Sequence, residues 1–355
     1  MTRGHDLRTL PVSFYLPTRW NPDSFLDAHP DTDWALFMDG RAQAIPHTFL
    51  RLREKGYDVS LTDRVPQSGV VIVYSGDMPS FIKSLQSRKE LTIISVESDR
   101  RIAENSVADF VVQHNGLGVD NVRRICIPNW PQVGLIPRDP ARLNELRTVH
   151  YKGNIENLHP SFLSADWERA LQDLNMEFIV DADITASDWR DRRLGERIRV
   201  GSTASWRDYS RTDVVLAVRP QRSKGDRVKP KPAVKLVNAW RAGAPALLGP
   251  EPNFRELRKS ELDFIEVSSP SEAYTALYRL KENPSLYSAM IKNGLRRGEA
   301  FSNESITQLW EDLLFQHVRA TPRNRAARSL SVILLLPRRA IRLASRRLNS
   351  LRASD

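Results

Sequence analysis

Apolar runs of three to six residues recur along the chain, separated by stretches in which apolar positions return every three or four residues. The runs predict strands and the stretches predict helices. In the first half the strands are Val12–Leu16, Val59–Leu61, Val70–Tyr74, Leu91–Val96 and Phe110–Gln113. The clearest helix there covers Ala44–Lys55 and ends at Gly56. In the second half the strands are Thr148–Tyr151, Met176–Val180, Asp213–Val218, Ala244–Leu248 and Phe264–Val267. Helices are predicted over Ser164–Leu174, Val234–Ala242, Ser271–Lys281 and Ser285–Arg297. Strands that alternate with helices form parallel sheets with crossover helices, the α/β class. Ile127–Pro140, with four prolines and one glycine, predicts an interdomain linker. The expected organisation is one doubly wound, Rossmann-like domain over 8–126, a linker over 127–147, a second such domain over 148–320, and a tail over 321–355. The two domains are expected to face each other across a cleft.

The segment Lys229–Pro250, KPKPAVKLVNAWRAGAPALLGP, carries the sharpest chemistry. Its Lys-Pro steps hold the backbone extended, a helix follows with Lys235 near its start, and Gly243 is placed to end it. A helix start presents unpaired N–H groups and a positive partial charge, a natural seat for phosphate. A single lysine there reads as a surface charge; Lys231 and Lys235 together beside a helix start read as a phosphate cradle. Trp240, on the same helix, reads as core packing.

In parallel sheets ligands sit beyond the carboxyl ends of the strands. In the first half those ends offer Ser75-Gly76-Asp77, Glu97-Ser98-Asp99 and Gln113-His114-Asn115, while Asp39-Gly40-Arg41 leads into the first long helix near His47. In the second half they offer Tyr151-Lys152-Gly153, Asp181, Arg219 and Gly249. The second set is cationic and glycine-rich, as a phosphate site would be. The first is richer in carboxylate and imidazole, as an acid–base site would be.

Composition changes this picture mainly by exclusion. At 355 residues, 41% hydrophobic and 27% charged, the chain has material for two ordinary domains with real cores. Cys126 is the only cysteine, which excludes a disulfide framework and a thiolate metal cluster and suits a cytoplasmic location. It is expected to be a buried strand thiol. The net charge of +10 suggests nucleic acid until it is located. Residues 321–355 hold nine arginines, one aspartate and no lysine, a charge of +8, so the first 320 residues carry only +2. A nearly neutral body disfavours a nucleic-acid-binding domain. In the tail, Leu330, Leu334, Pro337, Ile341, Ala344, Leu348 and Leu351 recur at three- and four-residue steps among arginines. That is the pattern of a basic amphipathic helix, which an anionic membrane surface would attract to the inner face of the membrane; a disordered or partner-bound basic tail fits the pattern equally. Asp31-Thr32-Asp33 and Asp181-Ala182-Asp183 carry no weight as metal motifs, since 25 aspartates produce about two such pairs by chance. The histidines lack metal-ligand spacing, Gly116-Leu117-Gly118 lacks the third glycine of a dinucleotide fingerprint, and no Walker loop is present. No metal and no cofactor is expected.

From Lys231 to Phe301 the chain resembles the C-terminal half of GT-B fold glycosyltransferases, bacterial family-1 and family-4-like enzymes above all. The matching elements are KLVNAWRAGAPALL, GPEPNFREL, FIEVSSPSEAYTALYRLKENPSLYSAM and IKNGLRRGEAFSNESITQLWEDLL. The resemblance implies transfer of a sugar from a nucleotide-diphosphate-sugar donor to a glycan or lipid-linked acceptor, without a metal. It implies that Arg219, Lys231 and Lys235 hold the donor diphosphate, that Gly249 admits the donor close to the backbone, and that Asn253 and Glu256 offer polar contacts. It departs in one place. Retaining family-4 enzymes carry two glutamates where this chain has Pro230 and Asn238, so retaining chemistry does not carry over. An inverting reaction needs a base, for which Asp39 and His47 lead Glu97, Asp99 and His114. The missing glutamates also leave a second class open, a non-catalytic GT-B-like protein that binds a nucleotide-sugar or glycan at the membrane surface.

Overall fold

The computed structural model describes residues 11–86, 90–97, 102–142, 144–184, 195–220 and 231–320. The chain divides into two compact units, Pro128–Ile306 forming the second and the flanking residues the first. Each unit is built on one six-stranded, wholly parallel sheet. The α/β class and the two doubly wound sheets are as expected.

In the first unit the strands are β1 (Val12–Tyr15), β2 (Val59–Thr62), β3 (Gly69–Tyr74), β4 (Leu91–Val96), β5 (Phe110–Gln113) and β6 (Arg124–Cys126), in the order β2-β1-β3-β4-β5-β6. β3 and β4 form the centre of the sheet and are buried along almost their whole length on both faces. The expected helix Ala44–Lys55 begins earlier, at Gly40, where Asp39 caps it by accepting hydrogen bonds from Arg41 N (2.8 Å) and Ala42 N (3.1 Å). Its second turn, Gln43–His47, widens to a π-helix around Pro46, which has no N–H to donate. The helix then continues through Thr48–Glu54. Residues 307–320 return to this unit. There Phe315 stacks on Tyr57 with ring centres 4.4 Å apart, and His317 Nε2 donates to Val122 O at 2.9 Å. The sequence reading carried the second domain through 320; packing ends it at Ile306.

In the second unit the strands are β7 (Thr148–Lys152), β8 (Glu177–Asp181), β9 (Ile198–Val200), β10 (Val214–Ala217), β11 (Ala246–Leu248) and β12 (Ile265–Glu266), in the order β12-β11-β10-β7-β8-β9. One face, with Val149, Tyr151, Phe178 and Val180, packs on Trp167 and Leu171 of helix Ala165–Asp173. On the other face Val215, Ala217 and Leu248 pack on Leu236, Val237 and Trp240 of helix Val234–Ala242. Trp240 is core, as expected, its Nε1 donating to Asp263 O at 2.8 Å.

Two expectations need correction. The proline-rich segment after Ile127 is not a free linker. Trp130 and Val133 are buried, Ile136 bridges to Asp208, and Arg138 and Arg142 both bond the buried carboxylate of Asp213. Proline restricts the segment to extended backbone without keeping it off the core. Cys126 lies in a strand, as expected, but β6 is an edge strand and the thiol is half-buried.

Candidate functional site

The strand order of the second unit reverses direction between β7 and β10, the first going outward through β8 and β9, the second through β11 and β12. A doubly wound sheet opens a crevice at the carboxyl ends of the two strands flanking such a reversal. Here those ends are Lys152-Gly153 and Val218-Arg219. Helix Val234–Ala242 starts at the same place. Its N-cap residue is Ala233, so no side chain caps it, and Gly243 ends it with φ 70°.

Lys235 is the central group. Its half-buried ammonium makes no hydrogen bond and no ion pair with any described residue, and Nζ lies 5.5 Å from the centre of the Tyr151 ring. Burial first, then the charges of Arg219 and Lys152, lower its pKa to about 7. Gly153 has φ 148°, so the backbone of the turn after β7 favours glycine; a Cβ there would sit 2.5 Å from Nζ and push the end of the Lys235 side chain aside. Arg219 projects from the end of β10, its Nε 3.4 Å from Glu251 Oε1. Burial raises the Glu251 pKa, and the charges of Arg219, Lys231 and Lys235 act against that rise. Asn253 is buried and donates Nδ2 to Pro232 O at 3.2 Å, holding the chain that leads into the helix. A Cβ at position 249 would make only ordinary contacts, 3.5 Å to Val218 Cα and 3.7 Å to Arg219 N.

Thus Arg219, Lys231, Lys235 and Gly249 gather around one crevice, with Asn253 behind them. Glu256 is exposed on helix Pro252–Leu257. The carboxylate facing the cations is Glu251, which the sequence reading passed over. The signal that could have found it is position, three residues past the end of β11, beyond the carboxyl end of that strand. Asn238 is buried and committed within the fold, its Oδ1 accepting from Gln132 N at 3.0 Å. Pro230 lies outside the described residues.

In the first unit the reversal falls between β1 and β3. Near their ends the buried carboxylate of Asp77 accepts from Arg19 and from Arg41 Nε, both at 2.6 Å. The Arg41 guanidinium lies 3.8 Å over the Trp20 ring and 5.0 Å from that of Tyr74, and Trp20 remains 41% exposed. Asp39 is exposed, two residues before Arg41. His47 is buried beside Phe37, Arg51 Nε donates to its Nε2 at 3.2 Å, and burial holds its pKa well below the ordinary value. Glu97 is buried and bonded to Arg124 and Asn105; His114 Nδ1 donates to Ile127 O. Asp99 lies outside the described residues. Among the described residues no group of three or more His, Cys, Asp or Glu is placed to hold a metal ion, and no helix is long and apolar enough to cross a membrane. The tail 321–355 lies outside them.

No protein-family model and no curated protein matches the chain. Solved structures do. The chain is similar to sucrose-phosphate synthase from Thermosynechococcus elongatus, with 13% identity and a TM-score of 0.62 over 88% of this chain and 100% of that one. It is similar to Anabaena HepE in complex with UDP-glucose, with 10% identity and a TM-score of 0.55 over 86% and 99%. It is also similar to the pneumococcal O-GlcNAc transferase GtfA in complex with UDP and GlcNAc, with 12% identity and a TM-score of 0.52 over 78% and 60%. The fold of the chain is the GT-B fold of these glycosyltransferases.

Proposed function

We propose that the chain is a glycosyltransferase moving a sugar from a nucleotide-diphosphate-sugar to a glycan or lipid-linked acceptor, without a metal. The observation that carries this reading is the unpaired ammonium of Lys235 at the strand reversal of a GT-B fold. A group so placed costs stability unless an anion arrives to pair with it. Two neighbours with that fold were solved with a UDP-sugar, or with UDP and a sugar. The donor diphosphate lies across the start of helix Val234–Ala242, taking Lys231 and Lys235 as point charges and Arg219 as a planar donor of two hydrogen bonds. Glu251, whose Oε1 lies 3.4 Å from Arg219 Nε, yields to the diphosphate. Gly249 lets the donor approach the backbone, the one reason for glycine that contacts within the protein do not supply.

In the transfer the acceptor oxygen attacks the anomeric carbon and passes its proton to a base. The bond from that carbon to the diphosphate breaks, and its electron pair goes to the leaving oxygen, where the three cations stabilise it. Of the two leading base candidates, exposed Asp39 suits proton transfer, and buried, neutral His47 suits support behind it. Residues 321–355 would hold the enzyme at an anionic membrane.

A specific observation favours a second reading. Asn238 stands where a retaining enzyme has a glutamate and is bonded into the fold, which suits a GT-B-like protein that binds nucleotide-sugar without turnover. One experiment separates the two. A thermal-shift panel of UDP-, GDP-, ADP- and TDP-sugars is followed by assay of nucleotide release with the stabilising donor. Stabilisation with release supports the transferase; stabilisation alone supports the binding protein. No stabilisation by any of the four rejects both.

A further inference from the structure

Lys235 is placed for covalent chemistry as well as for charge. Its side chain is half-buried, and Nζ, which bonds to no described residue, is not among the side-chain nitrogens sealed from solvent. The Tyr151 ring centre lies 5.5 Å away, and glycine at position 153 puts no Cβ in the space beside Nζ. Lys152, by contrast, is neutralised by Asp181 at 2.6 Å.

The charges that face Nζ come from several elements. Arg219 at the end of β10 and Lys152 on β7 repel a positive charge there, while Glu251, after β11, attracts it. Glu251 is shared with Arg219 and Lys231. Burial and repulsion outweigh the attraction, and the Lys235 pKa falls to about 7. At neutral pH about half of the side chain is then free amine, against roughly one part in three thousand for an ordinary lysine of pKa 10.5. The free amine is a nucleophile and the ammonium is not.

The neighbours of this amine select its reagent. Arg219 and Lys231 suit phosphate oxygens, the first as a planar donor of two hydrogen bonds and the second as a point charge. An acyl phosphate combines an anion for those two side chains with an activated carbonyl for Nζ. We propose that Lys235 is a modification site, acylated directly by small acyl phosphates. The Nζ lone pair attacks the carbonyl carbon and forms the C–N bond. The bond from that carbon to the phosphate oxygen breaks, its electron pair stays on the oxygen, and the amine proton passes to the released phosphate. Arg219 and Lys231 hold the reagent and stabilise the charge growing on the leaving oxygen. The product is a neutral amide, so the crevice loses one of its cations and with it affinity for donor. That last consequence rests on the donor-binding reading; the acylation does not.

The test incubates the full chain with acetyl phosphate at pH 7 and follows acetylation of each lysine by peptide mass spectrometry. The initial rate at Lys235 should exceed that at exposed Lys259 and Lys292 by about tenfold or more, because the weaker nucleophilicity of a less basic amine takes back only part of its gain in free amine. Its rate should level off above about pH 7, while theirs climbs toward pH 10. Inorganic pyrophosphate should slow acetylation at Lys235 and leave the other two unchanged. The preference for Lys235 should shrink with p-nitrophenyl acetate, which carries no phosphate, and in Arg219→Gln. Three outcomes overturn the proposal: Lys235 reacts no faster than Lys259 and Lys292; pyrophosphate leaves its rate unchanged; or its preference is as large with p-nitrophenyl acetate. All three are measured on the wild type, so the test stands even if Arg219→Gln does not fold. A chain that binds no nucleotide-sugar but acetylates as described rejects the donor reading and leaves this site in place, so the two fail separately.

Discussion

Replacing Lys235 by methionine separates the stability of the protein from its affinity for donor. The side chain is held half-buried against Tyr151 and Gly153 without a carboxylate partner, and its pKa is lowered to about 7 from 10.5. A lysine whose folded pKa is depressed binds fewer protons in the native state than in the unfolded one. Stability therefore rises as pH climbs through the window between about 7 and 10.5, and the cost of the buried charge is largest below it. Methionine keeps the stem and removes the charge. Lys235→Met is thus expected to melt above the wild type near neutral pH, with the difference shrinking toward pH 10. Donor affinity should move the opposite way. A hydrogen bond to a charged group is worth about 1.5–3 kcal/mol net, which weakens nucleotide-sugar binding by roughly 10- to 150-fold. Because donor binds the protonated ammonium, wild-type affinity should fall as pH rises through about 7, by up to about tenfold per unit, and the variant should lack that slope. Calorimetric titration of the stabilising donor at several pH values, beside thermal unfolding of both proteins, measures all three quantities. A variant that melts lower yet binds donor with unchanged affinity and pH dependence refutes the reasoning.

Gly153→Ala should imitate the loss of Lys235, since the new Cβ would lie 2.5 Å from Nζ and the backbone has φ 148°; in a Lys235→Ala background only the backbone strain, about 1–3 kcal/mol, should remain, as read from a double-mutant cycle of unfolding free energies. Asp39→Asn keeps the helix cap, because asparagine also accepts from Arg41 N and Ala42 N. Its turnover should fall by about 10²–10⁴ with donor affinity unchanged, and a fully active variant rejects Asp39 as the base. Asp213→Asn should destabilise the second unit by about 3–5 kcal/mol in denaturant titration, since it leaves Arg138 and Arg142 facing a neutral group in the interior. Burial would raise the Asp213 carboxyl, but Arg142 and the N–H groups of Arg147 and Thr148 hold it below the ordinary value. Its contribution is therefore complete above the unfolded pKa of about 4 and lost as pH falls through the folded value, an acid limb that the variant should lack.

Ten of the twelve strands were legible as apolar runs, and the two that were not share a cause. β6, Arg124-Ile125-Cys126, and β9, Ile198-Arg199-Val200, are three-residue edge strands that pair on one side only and keep polar side chains. Three residues with an arginine among them are too short to stand out as an apolar run, whereas the edge strands β2 and β12 lie in runs that the pattern does show. The place of Lys235 was legible for the opposite reason: a lysine at a helix start follows from spacing alone, and strand order then puts that start at the crevice. The hub at Asp213 was hidden, since two of its partners, Arg138 and Arg142, lie 75 and 71 residues earlier in a segment whose prolines suggested a linker. The crevice of the first unit was legible in part: Asp77 and Arg41 stand among the strand-end residues read from the sequence, whereas Trp20 and Tyr74 do not. Trp20, Arg41, Tyr74 and Asp77 come from separate stretches, and only the meeting of β1 with β3 brings them together.

The choice between Glu251 and Glu256 shows what a motif resemblance reads and what it cannot. Matching GPEPNFREL to a family pattern selects the glutamate five residues further on, which the fold places in solvent. The glutamate that faces Arg219 is the one at the N-cap of helix Pro252–Leu257. With Asn238 bonded to Gln132 N, no glutamate at that helix position is available to hold a ribose or steady a sugar. In the described part of the crevice Arg219, Lys231 and Lys235 surround Glu251, whose own pKa is raised by burial. Such a cluster of cations suits a diphosphate. If the chain transfers sugar, it needs a base, and Asp39, beside Arg41 at the strand reversal of the first unit, is the one proposed. If it does not, the same cations still bind the donor, and Asp39 has only its helix to cap.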